Sequence, residues 1–104
     1  MFNAIKNLFR AGVKTDYARL LREGATILDV RSVGEYNSGH INGSVNIPLD
    51  ELKNNSDKLK DKNRTIIACC ASGMRSAAAR AILKSRGYTS VYNGGAWSNL
   101  QNKL

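Results

Sequence analysis

The sequence predicts an α/β domain, a parallel sheet with helices on both faces. Two observations carry that prediction. Short apolar runs at residues 25–30, 44–47, 65–69 and 90–92 alternate with stretches of helical periodicity. Strands separated by helices pair in parallel, with both faces of the sheet covered. The chain has 104 residues, 42% of them hydrophobic and 23% charged, which suits one soluble domain with one core of ordinary size. No internal repeat, linker or low-complexity tract interrupts it.

Each element has a local reason. Residues 1–12 fit an amphipathic helix, with Phe2, Ile5 and Phe9 on one face, Lys6 and Arg10 towards water, and Gly12 as its end. Thr15 or Asp16 can cap a second helix that turns Tyr17, Leu20 and Leu21 to the core and stops at Gly24. Residues 25–30 read as a buried strand. Ser32 and Glu35 have the spacing of a capping box, so a short helix runs from there to about Gly39. Residues 44–47 form a strand closed by Pro48, and Asp50 caps a helix reaching about Leu59. After the polar turn 61–64, residues 65–69 are the clearest strand in the chain. An Ala-rich helix over 74–86 offers Ala78, Ile82 and Leu83 to the core and ends at Gly87. Residues 90–92 make a last strand, Asn93-Gly94-Gly95 a turn, and 96–104 a final helix.

Residues 1–14 are set apart as an extension of the domain 15–104. Lys6, Arg10 and Lys14 stand beside Phe2, Ile5, Leu8 and Phe9 with no acidic residue. A basic amphipathic helix can lie on an anionic membrane surface. Three charges at about 1 kcal/mol each hold it there only weakly, so docking back onto the domain is the favoured expectation. No apolar run is long enough to cross a bilayer. Asn3, Lys6, Asn7 and Arg10 break the opening stretch, so it lacks the continuous apolar run of a secretory signal. The expected compartment is the cytoplasm.

Charge and cysteine count narrow the chemistry. A net charge of +8 and pI near 9.9 favour anionic partners. The Lys and Arg residues are scattered and accompany no nucleic-acid motif, so a small anionic substrate is expected rather than nucleic acid. The two cysteines, Cys69 and Cys70, are adjacent. On a strand they point to opposite faces and do not bridge. With a single His besides, the usual zinc ligand set cannot be assembled.

Cys70-Ala71-Ser72-Gly73-Met74-Arg75 follows the strongest strand and opens the Ala-rich helix. Ligands of open parallel sheets bind beyond the carboxyl ends of the strands. Small residues around a central glycine let the backbone curl so that N–H groups converge, and such a nest at a helix start stabilises an anion. The same field lowers a thiol pKa, and Arg75 adds a positive charge at the loop's far edge. A cysteine so placed is as readily a small buried hydrophobe, so the loop needs companions.

It has them. Asp29-Val30-Arg31, Glu35-Tyr36, the run Gly39 to Ser44, and Asn46-Ile47-Pro48 resemble the rhodanese homology domain, in which D-V-R precedes E-[FY]-x-x-G-H-I-x-G-[AS]-x-[NH]-[IL]-P. Cys70, Gly73 and Arg75 are similar to that family's C-x-x-G-x-[RS] loop. Gly87-Tyr88, Val91, Asn93, Gly94-Gly95 and Trp97 resemble its ending, Trp97 coming one residue early. The resemblance covers residues 15–100. It implies a three-layer fold around a five-stranded parallel sheet, and sulfurtransferase chemistry through a persulfide on Cys70 cradled by Ala71, Ser72, Gly73, Met74 and Arg75. Thiosulfate or another sulfane donor supplies the sulfur, and a thiol, a protein cysteine or cyanide takes it, with no metal or organic cofactor. His40 is expected to be a hydrogen-bonding loop residue rather than a general base, and Asp29, Arg31 and Glu35 an ion-paired scaffold.

Two alternatives remain open at this point. Phosphatases and arsenate reductases of the same fold use C-x5-R, a count that Cys69 and Arg75 satisfy. Gly73 favours the shorter register, and Cys69 still belongs to the strand. Rhodanese-like domains also serve as binding modules, but those typically lack the loop cysteine.

Overall fold

The structure, a computed structural model, describes residues 14–54 and 58–104. In chain order its elements are α1 (Tyr17–Arg22), β1 (Thr26–Asp29), α2 (Val33–Ser38), β2 (Val45–Asn46), α3 (Leu49–Leu52), β3 (Ile66–Cys70), α4 (Met74–Ser85), β4 (Val91–Ala96) and α5 (Trp97–Gln101). The helix expected over 1–12, and with it the choice between docking and membrane contact, lies outside the described residues. Among the described residues no helix is long and apolar enough to cross a membrane.

All strand pairs are parallel, in the order β2-β1-β3-β4. The expected five strands are four among the described residues. Every residue of β3 is buried, because it lies between β1 and β4 and is covered on both faces. Its alternation divides the core. Ile66, Ala68 and Cys70 pack with Leu28, Val30, Leu52, Ala79, Leu83 and Val91 on one face. Ile67 and Cys69 pack with Ile27, Ile41 and Leu100 on the other, under Tyr17, Leu20 and Trp97. Thus α3 and α4 cover one face and α1 and α5 the other, giving three layers. Each fully buried Leu or Ile contributes about 1.5–3 kcal/mol relative to exposure.

Several expectations need correction. The helix expected from Asp50 to Leu59 ends at Leu52, and Pro48 rather than Asp50 is its N-cap, with Asp50 in the first turn. Leu59 still joins the first core face, held where Tyr88 donates its hydroxyl proton to the Leu59 carbonyl. On α4 the buried stripe is Ser76, Ala79 and Leu83, and Ala78 faces water. Leu21 is likewise exposed at the end of α1.

The largest departure is in β4. Asn93-Gly94-Gly95 is strand, not turn. Ala68 pairs with Asn93 but Cys69 with Gly95, so Gly94 is the extra residue of a bulge. A Cβ on Gly94 would stand 2.9 Å from Ile67 Cγ2, 3.0 Å from the Ala68 carbonyl oxygen and 3.0 Å from Leu100 Cδ2. Only glycine fits there. Because β4 continues to Ala96, α5 begins at Trp97.

Candidate active site

The carboxyl ends of β1, β3 and β4 bring Asp29, Cys70 and Ala96 to one edge of the sheet. Gly73 turns the chain from β3 into α4. Its φ of +99° is left-handed, and a Cβ there would meet Gly95 Cα at 3.4 Å. The turn folds the amides back over the sulfur. Gly73 N–H donates to Cys70 Sγ at 3.0 Å and Ser76 N–H at 3.4 Å, and the Ser76 hydroxyl lies 3.5 Å away. The positive end of the 12-residue α4 points at the same atom.

Burial pushes the Cys70 thiol up. The side-chain hydrogen bond with Ser76, and those donated by the amides of Ser76, Gly73 and Ser72, outweigh it, and the net shift is downward. Cys69, one residue earlier, points into the opposite face of the sheet. Burial, with Asp29 nearby, pushes its thiol up to about 12. Both cysteines are free.

Arg75 does not point a free charge at the loop. Its guanidinium makes a two-bond pair with Glu35, Nη1 to Oε1 at 2.7 Å and Nη2 to Oε2 at 2.9 Å. Glu35 also accepts from Ser32 N–H at 3.1 Å, completing the expected capping box of α2. These contacts, Arg75 first, hold the Glu35 carboxyl down at about 2. One carboxylate therefore caps α2 and ties it to the start of α4.

Beneath this clamp lies the second pair. Arg31 and Asp29 are buried and joined at 2.7 Å, and that hydrogen bond raises the Arg31 pKa. The remaining Arg31 donors go to the carbonyls of Glu35 at 3.2 Å and Gly39 at 2.7 Å, and its guanidinium lies 4.6 Å from the Trp97 ring centre. Asn46 ties the same segment by donating to the Asp29 and Arg31 carbonyls, each at 3.0 Å. His40 stacks on Tyr36 with ring centres 3.7 Å apart. Its Nδ1 lies 2.7 Å from the Tyr36 carbonyl, which can only accept, so Nδ1 carries the proton.

The profile of the rhodanese-like domain matches residues 13–102. The chain belongs to the rhodanese-like family. It is similar to thiosulfate sulfurtransferase PspE of Escherichia coli, 38% identical over 74 residues that span 70% of this chain and 71% of that one. It is also similar to a tRNA sulfurtransferase of Thermoplasma acidophilum, 36% identical over 80 residues, 77% of this chain but only 15% of the longer protein. Among solved structures it resembles the human single-domain sulfurtransferase TSTD1, with a TM-score of 0.70, 28% identity, and coverage of 85% of this chain and 91% of that one. The family's α/β fold, with its parallel sheet and flanking helices, is the one described above.

Two residues of this candidate site were not singled out for it in the sequence. Ser76, fully buried, touches the sulfur through both its amide and its hydroxyl. Asn93 accepts from that hydroxyl at 2.6 Å. The signal for Ser76 was its place in the third position of α4, where a helix-start amide faces the loop. Asn93 was picked out only as part of the family-like ending, and its contact with Ser76 depends on the β4 bulge.

Proposed function

We propose that this domain is a rhodanese-type sulfurtransferase that carries sulfane sulfur on Cys70. The observation that carries the reading is the contrast between the two thiols. Cys70 meets two amides at the head of α4 and has its pKa lowered, while Cys69 is held as a neutral thiol inside the sheet. The thiolate is the nucleophile.

The Cys70 thiolate attacks the outer sulfur of thiosulfate, a new S–S bond forms, and the donor S–S bond breaks with its electron pair leaving on sulfite. The persulfide then carries its negative charge into the cradle of residues 71–75, extended by Ser76. An acceptor nucleophile, cyanide or a thiolate, bonds to the outer sulfur, and the electron pair of the cleaved bond restores the Cys70 thiolate. No step needs an oxidant, a metal or an organic cofactor. Cys70 has essentially no accessible surface, so the donor must present a slender end and the loop must open slightly. A terminal sulfur meets that demand better than a phosphate ester, whose tetrahedral head needs a wider loop. Asp29, Arg31 and His40 hold the scaffold, and Arg75 acts through its clamp on Glu35.

Thiosulfate:cyanide sulfur transfer by point variants tests the assignment. Cys70→Ser abolishes the activity and Cys69→Ala keeps most of it. The reverse pattern would assign the chemistry to Cys69 and restore the longer-loop reading.

A further inference from the structure

The hydroxyl of Ser76 has one proton and three acceptors within reach. Asn93 Oδ1 lies 2.6 Å away, the Gly73 carbonyl 3.1 Å and Cys70 Sγ 3.5 Å. The orientation of the Asn93 amide is settled by its other contacts. Gly95 N–H can only donate, so the Asn93 atom it meets at 3.0 Å is the oxygen. The Gly73 carbonyl can only accept, so the atom facing it at 3.3 Å is Nδ2. With Oδ1 fixed, the shortest contact takes the Ser76 proton. The Ser76 lone pairs then face Cys70, whose S–H donates to them.

This chain of donors, S–H to hydroxyl to amide oxygen, is complete only while Cys70 is a thiol. When the thiol ionises, its proton leaves to solvent and the sulfur becomes an acceptor. The Ser76 proton can then turn to the sulfur, but only by leaving Asn93. Asn93 thus competes with the nucleophile for one hydrogen bond, and a hydrogen bond to a charged group is the stronger kind.

We propose that Asn93 is a positioning residue that draws the Ser76 hydroxyl proton away from Cys70 and so governs how readily that sulfur acts as a nucleophile. This rests on the reading of Cys70 as the reactive thiol, and it extends the site from the β3–α4 loop to the bulge of β4. The bulge is what makes the contact possible: one extra residue at Gly94 lets Asn93 Oδ1 reach both Ser76 and Gly95. The charged and titratable groups around the sulfur are Arg75 on α4, itself paired with Glu35 of α2, the neutral Cys69 on β3, and the Asp29–Arg31 pair at the end of β1. None of these is altered by changing Ser76 or Asn93.

The test titrates the Cys70 thiolate by its ultraviolet absorbance in the full chain and follows alkylation by iodoacetamide at a fixed pH below the midpoint. Ser76→Ala raises the midpoint by about one pH unit, the size of one hydrogen bond to a charged sulfur, and Ser76→Thr restores it. Asn93→Ala lowers the midpoint by roughly half a unit, because water entering its place can donate as well as accept, and alkylation speeds up about threefold. In the Ser76→Ala background, Asn93→Ala has no further effect. Asn93→Asp keeps the acceptor oxygens and adds negative charge, so it raises the midpoint. A midpoint that rises or stays put in Asn93→Ala, or that moves equally with and without the Ser76 hydroxyl, overturns the proposal. Should Asn93→Ala fail to fold, Asn93→Asp decides, and no rise there overturns it. These readouts are of the thiol itself, so they hold even if sulfur transfer proves not to use Cys70.

Discussion

Glu35 is the residue on which most contacts at the mouth of the site converge. It caps α2 through Ser32 and receives both ends of Arg75 from α4. Because the pair is more than a third exposed on each side, water screens it, and its value lies in geometry more than in stability. Arg75→Ala and Glu35→Gln should therefore slow sulfur transfer by similar factors, and the double variant should be no slower than either alone. Additive losses would show that Arg75 acts on the substrate directly. The acid behaviour follows from the same contact. The carboxyl sits at about 2 against an ordinary 4.5, so the clamp's contribution is complete above the ordinary value and disappears as pH falls through about 2. A carbon-detected NMR titration should place the Glu35 midpoint near the lower value, and Arg75→Ala should move it towards the upper one. The motif residues Asp29, Arg31, Glu35 and Cys70 were all legible in the sequence. What Arg75 touches was not, because an arginine five residues after the cysteine, in the first turn of α4, can reach either the anion or a carboxylate on a neighbouring helix.

At the scale of elements, local signals worked where the cause was local. The Ser32–Glu35 capping box and the all-buried β3 are set by residues within a few positions of each other. They failed where the partner was distant. Asn93-Gly94-Gly95 carries the composition of a turn, yet pairing with β3 keeps it in the sheet as a bulge. Pro48 displaced Asp50 as the start of α3 for a similar reason: the chain leaves β2 there, and Leu49 N–H is already bonded to the Val30 carbonyl. The bulge makes a stability prediction. Gly94→Ala forces a Cβ against backbone and core atoms and should cost about 1–3 kcal/mol of unfolding free energy, measured by urea denaturation. Gly34→Ala, in α2 with nothing within 4 Å of its Cβ, should be neutral or slightly stabilising. Equal effects of the two would mean that Gly94 is not clamped as described.

For the whole molecule, the alternation of strands and helices announced the parallel sheet and its two helical layers, and the period-two burial of β3 explains why adjacent cysteines meet opposite fates. Cys69 belongs to the packing under α5, and Cys70 to the edge where α4 begins. That division is a property of the fold as much as of the loop, since a strand running one residue longer or shorter would exchange the two thiols. The most direct measurement is the intact mass of the protein after incubation with thiosulfate under non-reducing conditions. The predicted result is the addition of one sulfur atom, mapped to Cys70 by peptide analysis and lost on adding cyanide. No added mass, or a sulfur found on Cys69, would contradict it.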